Sequence, residues 1–422
     1  MGARLIIKGG LVVDPSQKLE SARDLFIEDG RISKKFSPEG AEVFDAKGCW
    51  VVPGLVDMHV HLREPGREGE ETIATGTAAA AAGGVTCVLA MPNTEPPVDN
   101  TALLGFLQAK ARTEATVGVV FAAAATLGQK GEQLTEIRRL KDLGAGAISD
   151  DGRPIMDSEL MRRALEHCRD AGLLLIDHAE DLNLSSGFAM NEGAASAAKG
   201  LRGAPWPAET VHVLRDIALC ELTGAPVHIA HISCSQSVEA IRQAKRQGLP
   251  ISAEAAPHHF TLIDADIPGY DANYKMNPPL RAKSDREAIL EGLSDGTIDA
   301  IATDHAPHGL GKKALGLALA PCGVIGLETS LALSLQLVAK KIISRKRLVE
   351  LMSCAPARLL GLKSKGSLKP GSDADVTLID ANAGWTVPTK FISKSSNSPF
   401  VGMKLKGRAK ATIVAGRVVH AL

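Results

Sequence analysis

The chain of 422 residues contains 45% hydrophobic and 23% charged residues, a composition typical of a globular protein with room for one large domain and one small domain. Lysine plus arginine and aspartate plus glutamate each number 48, so the formal net charge is zero. The lack of a basic surplus argues against nucleic acid or an anionic membrane as a partner and favours small-molecule chemistry.

The cysteines and the first residues of the chain indicate the cellular compartment, and one long uncharged segment could be mistaken for a membrane span. The seven cysteines are widely spaced and form no Cys-x-x-Cys pair, and the first ten residues, MGARLIIKGG, lack a signal-peptide pattern. Reduced thiols and a cytoplasmic location are the simplest interpretation. Residues 73–94 carry no charge and could nominally cross a bilayer, but they are rich in Ala, Gly and Thr and contain Gly83 and Gly84. We expect a buried helix, a stop and a buried strand there.

The two ends of the chain predict β-structure. Residues 4–13 (RLIIKGGLVV) and 24–32 (DLFIEDGRI) have the pattern of hairpin-forming strands with glycine turns, and residues 374–379 (ADVTLI) and 411–419 (ATIVAGRVV) are similar. The residues between the two ends have a different pattern, in which apolar runs alternate with helical segments. We therefore expect one small β-sandwich domain built jointly from residues 1–52 and 366–422.

Short apolar runs alternate with helical patterns between these ends. One helix is predicted to open at Asp157, to carry Met161, Leu165 and Cys168 on one face, and to close near Gly172. Continuous apolar strands that alternate with helices predict a parallel sheet covered on both faces. The eight runs begin near residues 54, 85, 117, 144, 172, 225, 251 and 298.

Eight such units in residues 53–365 predict an α/β fold, a (β/α)8 barrel of the TIM type, with insertions after the fifth and seventh strands. The alternative is a doubly wound open sheet. No Gly-x-Gly-x-x-Gly motif follows the first strand to bind a dinucleotide, so the barrel is favoured.

The run GLVDMHVHLR, residues 54–63, carries two histidines on an apolar strand. His59 and His61 are two residues apart and therefore project to the same side of the strand. Two imidazoles suit zinc or a similar divalent ion but are too few to hold a catalytic metal. An isolated pair could equally be hydrogen-bonded or partly exposed, so a metal site requires further ligands from elsewhere in the chain.

Polar side chains at the carboxyl ends of the other predicted strands supply such ligands. In a barrel these ends converge on one mouth, where the catalytic groups of this fold lie. Any one of the histidines could be a hydrogen-bonded core residue, but the joint pattern predicts a metal centre. The candidates are His59 and His61 on strand one, Asn93 on strand two, Asp150 and Asp151 on strand four, His178 on strand five, His231 on strand six, and Asp304, His305 and His308 on strand eight. His228, which is expected to point to the opposite side of its strand from His231, is a structural candidate, and the roles of His258 and His259 stay open.

Nine motifs together cover most of the predicted strand ends. They are DMHVHLR (57–63), MPNT (91–94), SDDG (149–152), DHAE (177–180), AHIS (230–233), PHH (257–259), MNPP (276–279), ATDHAPH (302–308) and PCGVIGLET (321–329). With these motifs, essentially the whole chain resembles the cyclic amidohydrolases of the metal-dependent hydrolase superfamily, and specifically the bacterial dihydroorotases of the longer, class I type.

The resemblance implies a pair of zinc ions held by four histidines and two aspartates. One ion would be bound by His59, His61 and Asp304 and the other by His178 and His231, while Asp151 and a hydroxide would bridge both. Many relatives use a carboxylated lysine as the bridge, but Asp151 stands at the end of strand four in this chain. Because His and Asp ligands also accept cobalt or manganese, the physiological metal stays open.

The resemblance also implies the reaction, the reversible closure of N-carbamoyl-L-aspartate to L-dihydroorotate and water in de novo pyrimidine biosynthesis. The closure requires a group that moves a proton between the carbamoyl nitrogen and the departing hydroxide. Asp304, a metal ligand that would face the nucleophile, is the expected catalytic group.

Substrate recognition is expected to rest on the carboxylate that both substrates carry. Arg63, on the same side of the strand as His61, can fork two hydrogen bonds to this group, and Asn93 and His308 can add more. The resemblance further implies contacts to the pyrimidine ring, and these would come from Asn277 and from the backbone of Cys322 and Gly323.

Three functions remain to be distinguished. The first is dihydroorotase, the second is a related ring-opening enzyme such as dihydropyrimidinase, hydantoinase or allantoinase, and the third is an inactive scaffold for aspartate transcarbamoylase. Arg63 and the lack of a bridging lysine favour the first over the second, and a complete ligand set argues against the third. A homodimer and a complex with aspartate transcarbamoylase are both compatible with the resemblance. Residues 309–319 (GLGKKALGLAL) depart from the family pattern and are a candidate lid.

Overall fold

The computed structural model describes residues 4–422, and within this range eight parallel strands form one sheet in the order of the sequence. The strands are Leu55–Val60, Val85–Ala90, Gly118–Ala123, Ala147–Ile148, Leu174–Asp177, Val227–Ile229, Ile251–Ala255 and Ala300–Ile301. A bridge between Val60 and His305 joins the first strand to the segment after the eighth, and the His61 backbone N–H donates to the His305 carbonyl at 2.9 Å. These contacts close the sheet, which confirms the predicted barrel.

A helix follows each barrel strand, and the helices pack against the sheet. They are Ile73–Ala82, Thr101–Glu114, Ile137–Asp142, Ser158–Ala171, Pro207–Thr223, Ser235–Arg246, Lys283–Asp295 and Leu327–Ala339. The helix predicted after the fourth strand is confirmed. The Asp157 side chain caps it by accepting from two backbone N–H groups, and Gly172 ends it with a φ of 65°. Met161, Leu165 and Cys168 are buried on its inner face.

The uncharged run at residues 73–94 is a helix, a glycine stop and a strand, as predicted. The helix ends at Ala82, Gly84 has a φ of 88°, and the second barrel strand begins at Val85. Among the helices of the described range, none is both long enough and apolar enough to span a membrane.

The predicted insertions lie after the fifth and seventh strands. The first contains the helices Leu182–Ser185 and Ala194–Lys199 and a ladder of Met190–Asn191 with Gly203–Ala204. The second contains the helix Pro257–Thr261 and the 3-10 turns Asp264–Asp266 and Ala272–Tyr274. Short helices also follow the eighth strand and the eighth barrel helix, at Leu310–Lys313, Gly316–Leu319, Arg345–Val349, Glu350–Cys354 and Ala355–Leu359.

The terminal regions form two further sheets. One has the strand order Arg31–Ser33, Leu25–Glu28, Arg4–Lys8 and Glu42–Asp45, and the other has the order Arg417–Ala421, Lys404–Val414, Val376–Thr386, Trp50–Pro53, Leu11–Asp14 and Leu19–Ala22. Side chains from both sheets, such as Ile7, Ile27, Val51, Leu378 and Ile413, share one buried core. Both ends of the chain therefore build one small β-sandwich beside the barrel, as expected.

The expected hairpin at residues 4–13 is wrong. Arg4–Lys8 pairs with Leu25–Glu28 in one sheet, whereas Leu11–Asp14 pairs with Leu19–Ala22 in the other. A Cβ added to Gly10 would lie 2.4 Å from Val51 Cγ2, so the backbone approaches the second sheet too closely for a side chain. The chain therefore passes from one sheet to the other at Gly9 and Gly10, and the two strands do not pair with each other.

Candidate active site

The sequence-predicted site residues converge at the carboxyl ends of the barrel strands around a cavity of about 450 Å³. Those that line it are His61, Arg63, Asn93, Asp151, His178, His231, Asn277, Asp304, His308, Cys322 and Gly323. His59 is fully buried and lies behind this lining, against Asp151. The barrel thus brings together residues that are up to 264 positions apart in the sequence, from His59 to Gly323.

Two strand-end candidates have structural partners instead. Asp150 Oδ1 accepts hydrogen bonds from the backbone N–H groups of Ala125 and Thr126 at 2.8 and 3.1 Å. His305 Nδ1 accepts from the Gly326 backbone N–H at 3.1 Å. In the described chain neither residue lines the cavity, so both fix the loops that follow their strands.

The first and eighth strands supply one group of donor atoms. His59 Nε2 lies 3.2 Å from Asp151 Oδ1, and His61 Nε2 lies 3.6 Å from Asp151 Oδ2. Asp304 Oδ1 is 3.0 Å from His61 Nε2 and 3.7 Å from His59 Nε2. Two imidazole nitrogens and two carboxylates therefore face one another in the buried mouth of the barrel.

The fifth and sixth strands supply a second group that shares Asp151. His178 Nδ1 lies 3.0 Å from His231 Nε2. Asp151 Oδ1 is 3.5 Å from His178 Nδ1 and 3.9 Å from His231 Nε2. Because Asp151 belongs to both groups, its carboxylate lies where a bridging ligand would lie.

The donor atoms fit a metal ion. His59 Nε2 and Asp151 Oδ1 are buried, and within residues 4–422 neither has a hydrogen-bond partner. Burial alone would raise the pKa of Asp151, but His59 and His178 outweigh burial and hold that pKa well below its ordinary value. An ionised carboxylate among imidazole nitrogens is the donor set that zinc and similar divalent ions prefer.

Hydrogen bonds on the far ring nitrogens orient three of the four histidines. His59 Nδ1, His61 Nδ1 and His178 Nε2 lie 2.8 to 2.9 Å from side-chain oxygens of Glu254, Asn93 and Glu180 respectively. Since such an oxygen only accepts, the far nitrogen carries a proton and the other nitrogen is the one that faces the site. Each ring is thus oriented with one nitrogen toward the position of a metal ion.

Glu180 and Glu254 are not among the functional residues predicted from the sequence. Glu180 stands two residues after His178 in the DHAE motif, and its carboxylate also accepts from Asn277 Nδ2 at 2.9 Å. Glu254 interrupts the apolar strand Ile251–Ala255. A charged side chain within a buried strand was the available signal for Glu254, because such a residue needs a partner.

Backbone conformations at the site are strained. Arg63, His231 and Asp304 have φ values of 61°, 28° and 47°, in the left-handed region that side chains other than glycine rarely adopt. Such conformations cost free energy and are concentrated at functional sites. At these positions they turn the side chains into the barrel mouth directly after their strands.

Arg63 is a buried cation that faces the cavity. Within the described chain its Nε donates to the Pro307 carbonyl at 3.1 Å, and its Nη2 lies 3.4 Å from His308 Nε2, which is itself a donor. Burial, with the nearby Arg67, lowers the pKa of Arg63 to about 10, so the guanidinium is charged at neutral pH. A buried guanidinium without a carboxylate partner is a receptor for an anionic ligand.

His308, Cys322 and Gly323 form one side of the cavity. The His308 Nε2–H group donates to the Cys322 carbonyl at 2.7 Å, and the Gly323 N–H donates to the Lys275 carbonyl at 2.9 Å. Gly323 has a φ of 136°, and an added Cβ would lie 3.0 Å from His308 Cδ2. Of the backbone groups that the resemblance implies as ring contacts, the Gly323 N–H is therefore already occupied.

The two candidate asparagines support ligand residues in this structure. Asn93 accepts from His61 Nδ1 through Oδ1 and donates through Nδ2 to Asp151 Oδ2 at 3.1 Å. Asn277 Nδ2 donates to Glu180. A substrate contact by either amide would have to replace or share one of these hydrogen bonds.

The candidate lid, residues 309–319, contains two short helices and lies in the chain between the cavity-lining residues His308 and Cys322. The buried Lys313 Nζ donates to the carbonyls of Lys275, Pro321 and Gly323 at 3.2, 3.1 and 2.9 Å. Lys275 Nζ in turn donates to the Ala318 carbonyl at 3.0 Å. The two lysines therefore tie this segment to the wall of the cavity.

His259, whose role the sequence left open, has a structural contact. Its Nε2–H group donates to the Pro278 carbonyl at 2.9 Å.

Sequence comparison finds full-length relatives. The profile of the family described as Dihydro-orotase-like matches residues 48–237. The chain is 52% identical over 421 residues to a protein named Dihydroorotase from Geotalea daltonii, with 99% of each chain covered. It is 51% identical over 421 residues to a protein of the same name from Pelotomaculum thermopropionicum, covering 99% of this chain and 98% of the relative.

Structural comparison finds the same fold in ring-opening enzymes. The L-hydantoinase (dihydropyrimidinase) from Arthrobacter aurescens superposes with a TM-score of 0.89 at 27% identity, covering 100% of this chain and 96% of the other. A dihydropyrimidinase from Brevibacillus agri gives a TM-score of 0.87 at 24% identity over 99% and 95% of the two chains, which bears on the fold alone. The barrel and its β-sandwich are thus an established architecture.

Proposed function

The chain belongs to the dihydroorotase family of cyclic amidohydrolases, and we propose that it interconverts N-carbamoyl-L-aspartate and L-dihydroorotate with a pair of zinc ions. The full-length identity to proteins named Dihydroorotase is far higher than the identity to the hydantoinases, which share the fold. The observation that supports the substrate is the buried, unpaired guanidinium of Arg63, because both substrates carry a carboxylate and the neutral rings of hydantoin and dihydrouracil do not.

The proposed metal ligands are the two groups that share Asp151. His59, His61 and Asp304 would hold one ion, His178 and His231 would hold the other, and Asp151 would contact both. When bound, such ions supply Lewis-acid polarisation of the reacting carbonyl and acidify water. Zinc is the proposed metal because imidazole nitrogen and carboxylate oxygen are its usual ligands in catalytic sites.

Arg63 would orient the substrate by its carboxylate. The guanidinium is held by the Pro307 carbonyl through Nε, so the remaining N–H groups can form a forked pair of hydrogen bonds with a carboxylate in the cavity. His308 lies beside Arg63 and donates to Cys322, which places an imidazole edge next to the bound anion. This arrangement would hold the reacting end of the substrate toward Asp304.

Asp304 would move the proton. Its contacts with His59 and His61 use Oδ1, so Oδ2 is available to a substrate. In ring closure, a bond forms between the carbamoyl nitrogen and the side-chain carboxyl carbon while a bond from that carbon to oxygen breaks. Asp304 would take the proton from the nitrogen and return it to the departing oxygen, which leaves as hydroxide and becomes water with a second proton from solvent. Hydrolysis of dihydroorotate follows the same path in reverse.

The biological setting follows from this reaction. Dihydroorotate is a pyrimidine precursor, so we propose a role in de novo pyrimidine biosynthesis, and the scattered, unpaired cysteines support a reducing compartment such as the cytoplasm. A homodimer and a complex with aspartate transcarbamoylase are both proposals, and light scattering of the purified protein alone and mixed with aspartate transcarbamoylase would distinguish them.

One assay tests the proposed function. Zinc-loaded protein is incubated in parallel with dihydroorotate, dihydrouracil, hydantoin and allantoin, and ring opening is followed for each. We expect dihydroorotate to be opened and carbamoyl aspartate to be closed by the same preparation. Preferential opening of a neutral ring would favour a hydantoinase-type activity, and no turnover of any ring by zinc-loaded protein would favour a scaffold role.

A further inference from the structure

Behind the candidate metal centre, four polar side chains contact one another in series inside the barrel. They are His59, Glu254, His228 and Ser252. Glu254 Oε1 is 2.9 Å from His59 Nδ1, and Glu254 Oε2 is 3.3 Å from His228 Nε2. His228 Nδ1 is 2.8 Å from Ser252 Oγ, which can donate to it. Glu254 is 1% exposed and both histidines are 0% exposed, so these contacts are shielded from solvent.

The partners of Glu254 are unusual for a buried carboxylate. Within residues 4–422 its charged oxygens face the two histidines, and it forms no salt bridge with a lysine or arginine. A buried charge is costly, and an apolar side chain of similar size would usually fill such a space at least as favourably. Packing alone therefore gives no reason for a carboxylate at this position.

The geometry gives such a reason. His59 Nδ1–H donates to Glu254, so the opposite nitrogen, Nε2, is the one that faces the site, 3.2 Å from Asp151 Oδ1. The carboxylate fixes the rotation and the tautomer of the ring and makes its free nitrogen a stronger donor. His228 Nε2, on the sixth strand, lies 3.3 Å from the other carboxylate oxygen, and Ser252 Oγ on the seventh strand contacts the opposite side of the His228 ring.

We propose that Glu254 is a positioning residue for the metal centre, that it holds His59 as an Nε2 ligand, and that His228 and Ser252 hold Glu254 in place. The inference rests on the proposed function, since it concerns the first of the two metal positions. Glu254 does not line the cavity and would act on the reaction only through His59.

The test measures zinc affinity directly. Metal-free parent, Glu254→Gln and Glu254→Leu proteins are titrated with zinc against a chromophoric chelator, and the visible spectrum is recorded after loading with cobalt. We expect Glu254→Leu to bind the ion at the His59 position roughly 10- to 100-fold more weakly, as is usual when a partner of a metal-ligating histidine is lost. Glu254→Gln keeps an acceptor for His59 Nδ1, so we expect a smaller loss with an altered cobalt spectrum.

Asp14→Asn is the matched control. Asp14 is also a fully buried carboxylate, but it lies in the β-sandwich, where it accepts from the Leu368 backbone N–H at 2.7 Å. The thermal midpoint of each metal-free protein reports the general loss of stability. Zinc binding by Asp14→Asn that equals the parent's, with weakened binding by both Glu254 variants, supports the proposal.

Two outcomes overturn the inference. If Glu254→Gln and Glu254→Leu bind zinc as tightly as the parent, Glu254 has no positioning role although the metal centre stands. If Asp14→Asn loses as much zinc affinity as the two Glu254 variants, the loss reflects a general decrease in the stability of the protein. If the parent protein binds no zinc, the proposed metal centre itself is wrong. The titration of the parent shows this before any variant is compared.

Discussion

His61 Nε2 lies 3.0 Å from Asp304 Oδ1, although 243 positions separate the two residues in the chain. The contact exists because the barrel closes, and the His61 backbone N–H donates to the carbonyl of His305, the residue after Asp304. Closure therefore creates the first donor group from the two ends of the barrel sequence. The second donor group arises from strands that are already neighbours, the fifth and the sixth.

Metal content should follow the two donor groups. We expect protein purified without chelators to contain about two zinc equivalents per chain, as measured by elemental analysis. His178→Ala should lose chiefly one ion, because His178 and His231 are the only non-bridging ligands proposed for that ion. The exposed His167 on helix Ser158–Ala171 offers a control, and His167→Ala should keep both ions.

A parent content near one zinc would indicate that the short carboxylate of Asp151 holds the second ion weakly. The metal proposal would be abandoned if the protein carried less than about half an equivalent and its activity did not respond to chelators.

Arg63→Met should raise the KM for dihydroorotate steeply. Deleting one partner of a buried, hydrogen-bonded charge pair costs roughly 2 to 5 kcal/mol, and the substrate carboxylate would be left unpaired. Zinc content should stay near the parent value, since Arg63 is not a proposed ligand. Steady-state kinetics with dihydroorotate, together with metal analysis, check both statements.

Arg153→Met is the control for Arg63, because Arg153 lines the same cavity but is exposed. We expect a small change that diminishes at high salt, as is typical of rim charges. An Arg63→Met protein that binds dihydroorotate as well as the parent would make Arg63 a structural residue and remove the main support for the substrate.

Asp304→Asn should separate binding from proton transfer. The amide keeps the size of the side chain and one oxygen, but it cannot take up and return a proton. Loss of general acid–base catalysis lowers rates by roughly 10²- to 10⁴-fold, and we expect kcat to fall by at least this factor in both directions. Crystals soaked with carbamoyl aspartate should still show the ligand in the cavity.

The role of Asp304 would be refuted by a variant that binds both metals and keeps more than about a tenth of the parental kcat, which is a smaller loss than acid–base catalysis implies. Another group would then move the proton, and His308, beside Arg63 at the cavity wall, would be tested next.

Lys313→Met should loosen residues 309–319. The substitution removes three hydrogen bonds from a buried ammonium to backbone carbonyls, and bonds to a charged group are worth roughly 1.5 to 3 kcal/mol each. We expect faster cleavage of this segment by a protease of broad specificity and a higher KM for dihydroorotate, because the Gly323 carbonyl loses a partner. Mass spectrometry of the fragments locates the cleavage.

Lys312→Met is the matched control on the neighbouring residue. The Lys312 side chain is 53% exposed, so solvent can replace its 2.9 Å pair with the buried Glu70, and we expect a smaller effect than at Lys313. Equal cleavage rates in the parent and both variants would show that Lys313 does not hold the segment.

Local patterns in the sequence determined the barrel and the position of the site. Apolar runs that alternate with helices specify buried parallel strands, and the polar residues that interrupt them stand where the strands end. The carboxyl ends of parallel strands meet at one edge, so His178 and Asp304 could be assigned to one site without coordinates. The cap residues Asp157 and Gly172 likewise act on their own helix, and their prediction was confirmed.

Only the tertiary structure decided which distant residues meet. The hairpin expected at residues 4–13 failed because Gly10 fits against Val51 of the second sheet, a contact that depends on how the two sheets pack. Glu254 contacts His59 across the barrel from 195 positions away, and Lys313 donates to carbonyls on two separate loops, at Lys275 and at Pro321 and Gly323. Local sequence fixes backbone conformation and which face is apolar. The partner of a buried charge is set by the closed three-dimensional packing of elements that are far apart in the chain.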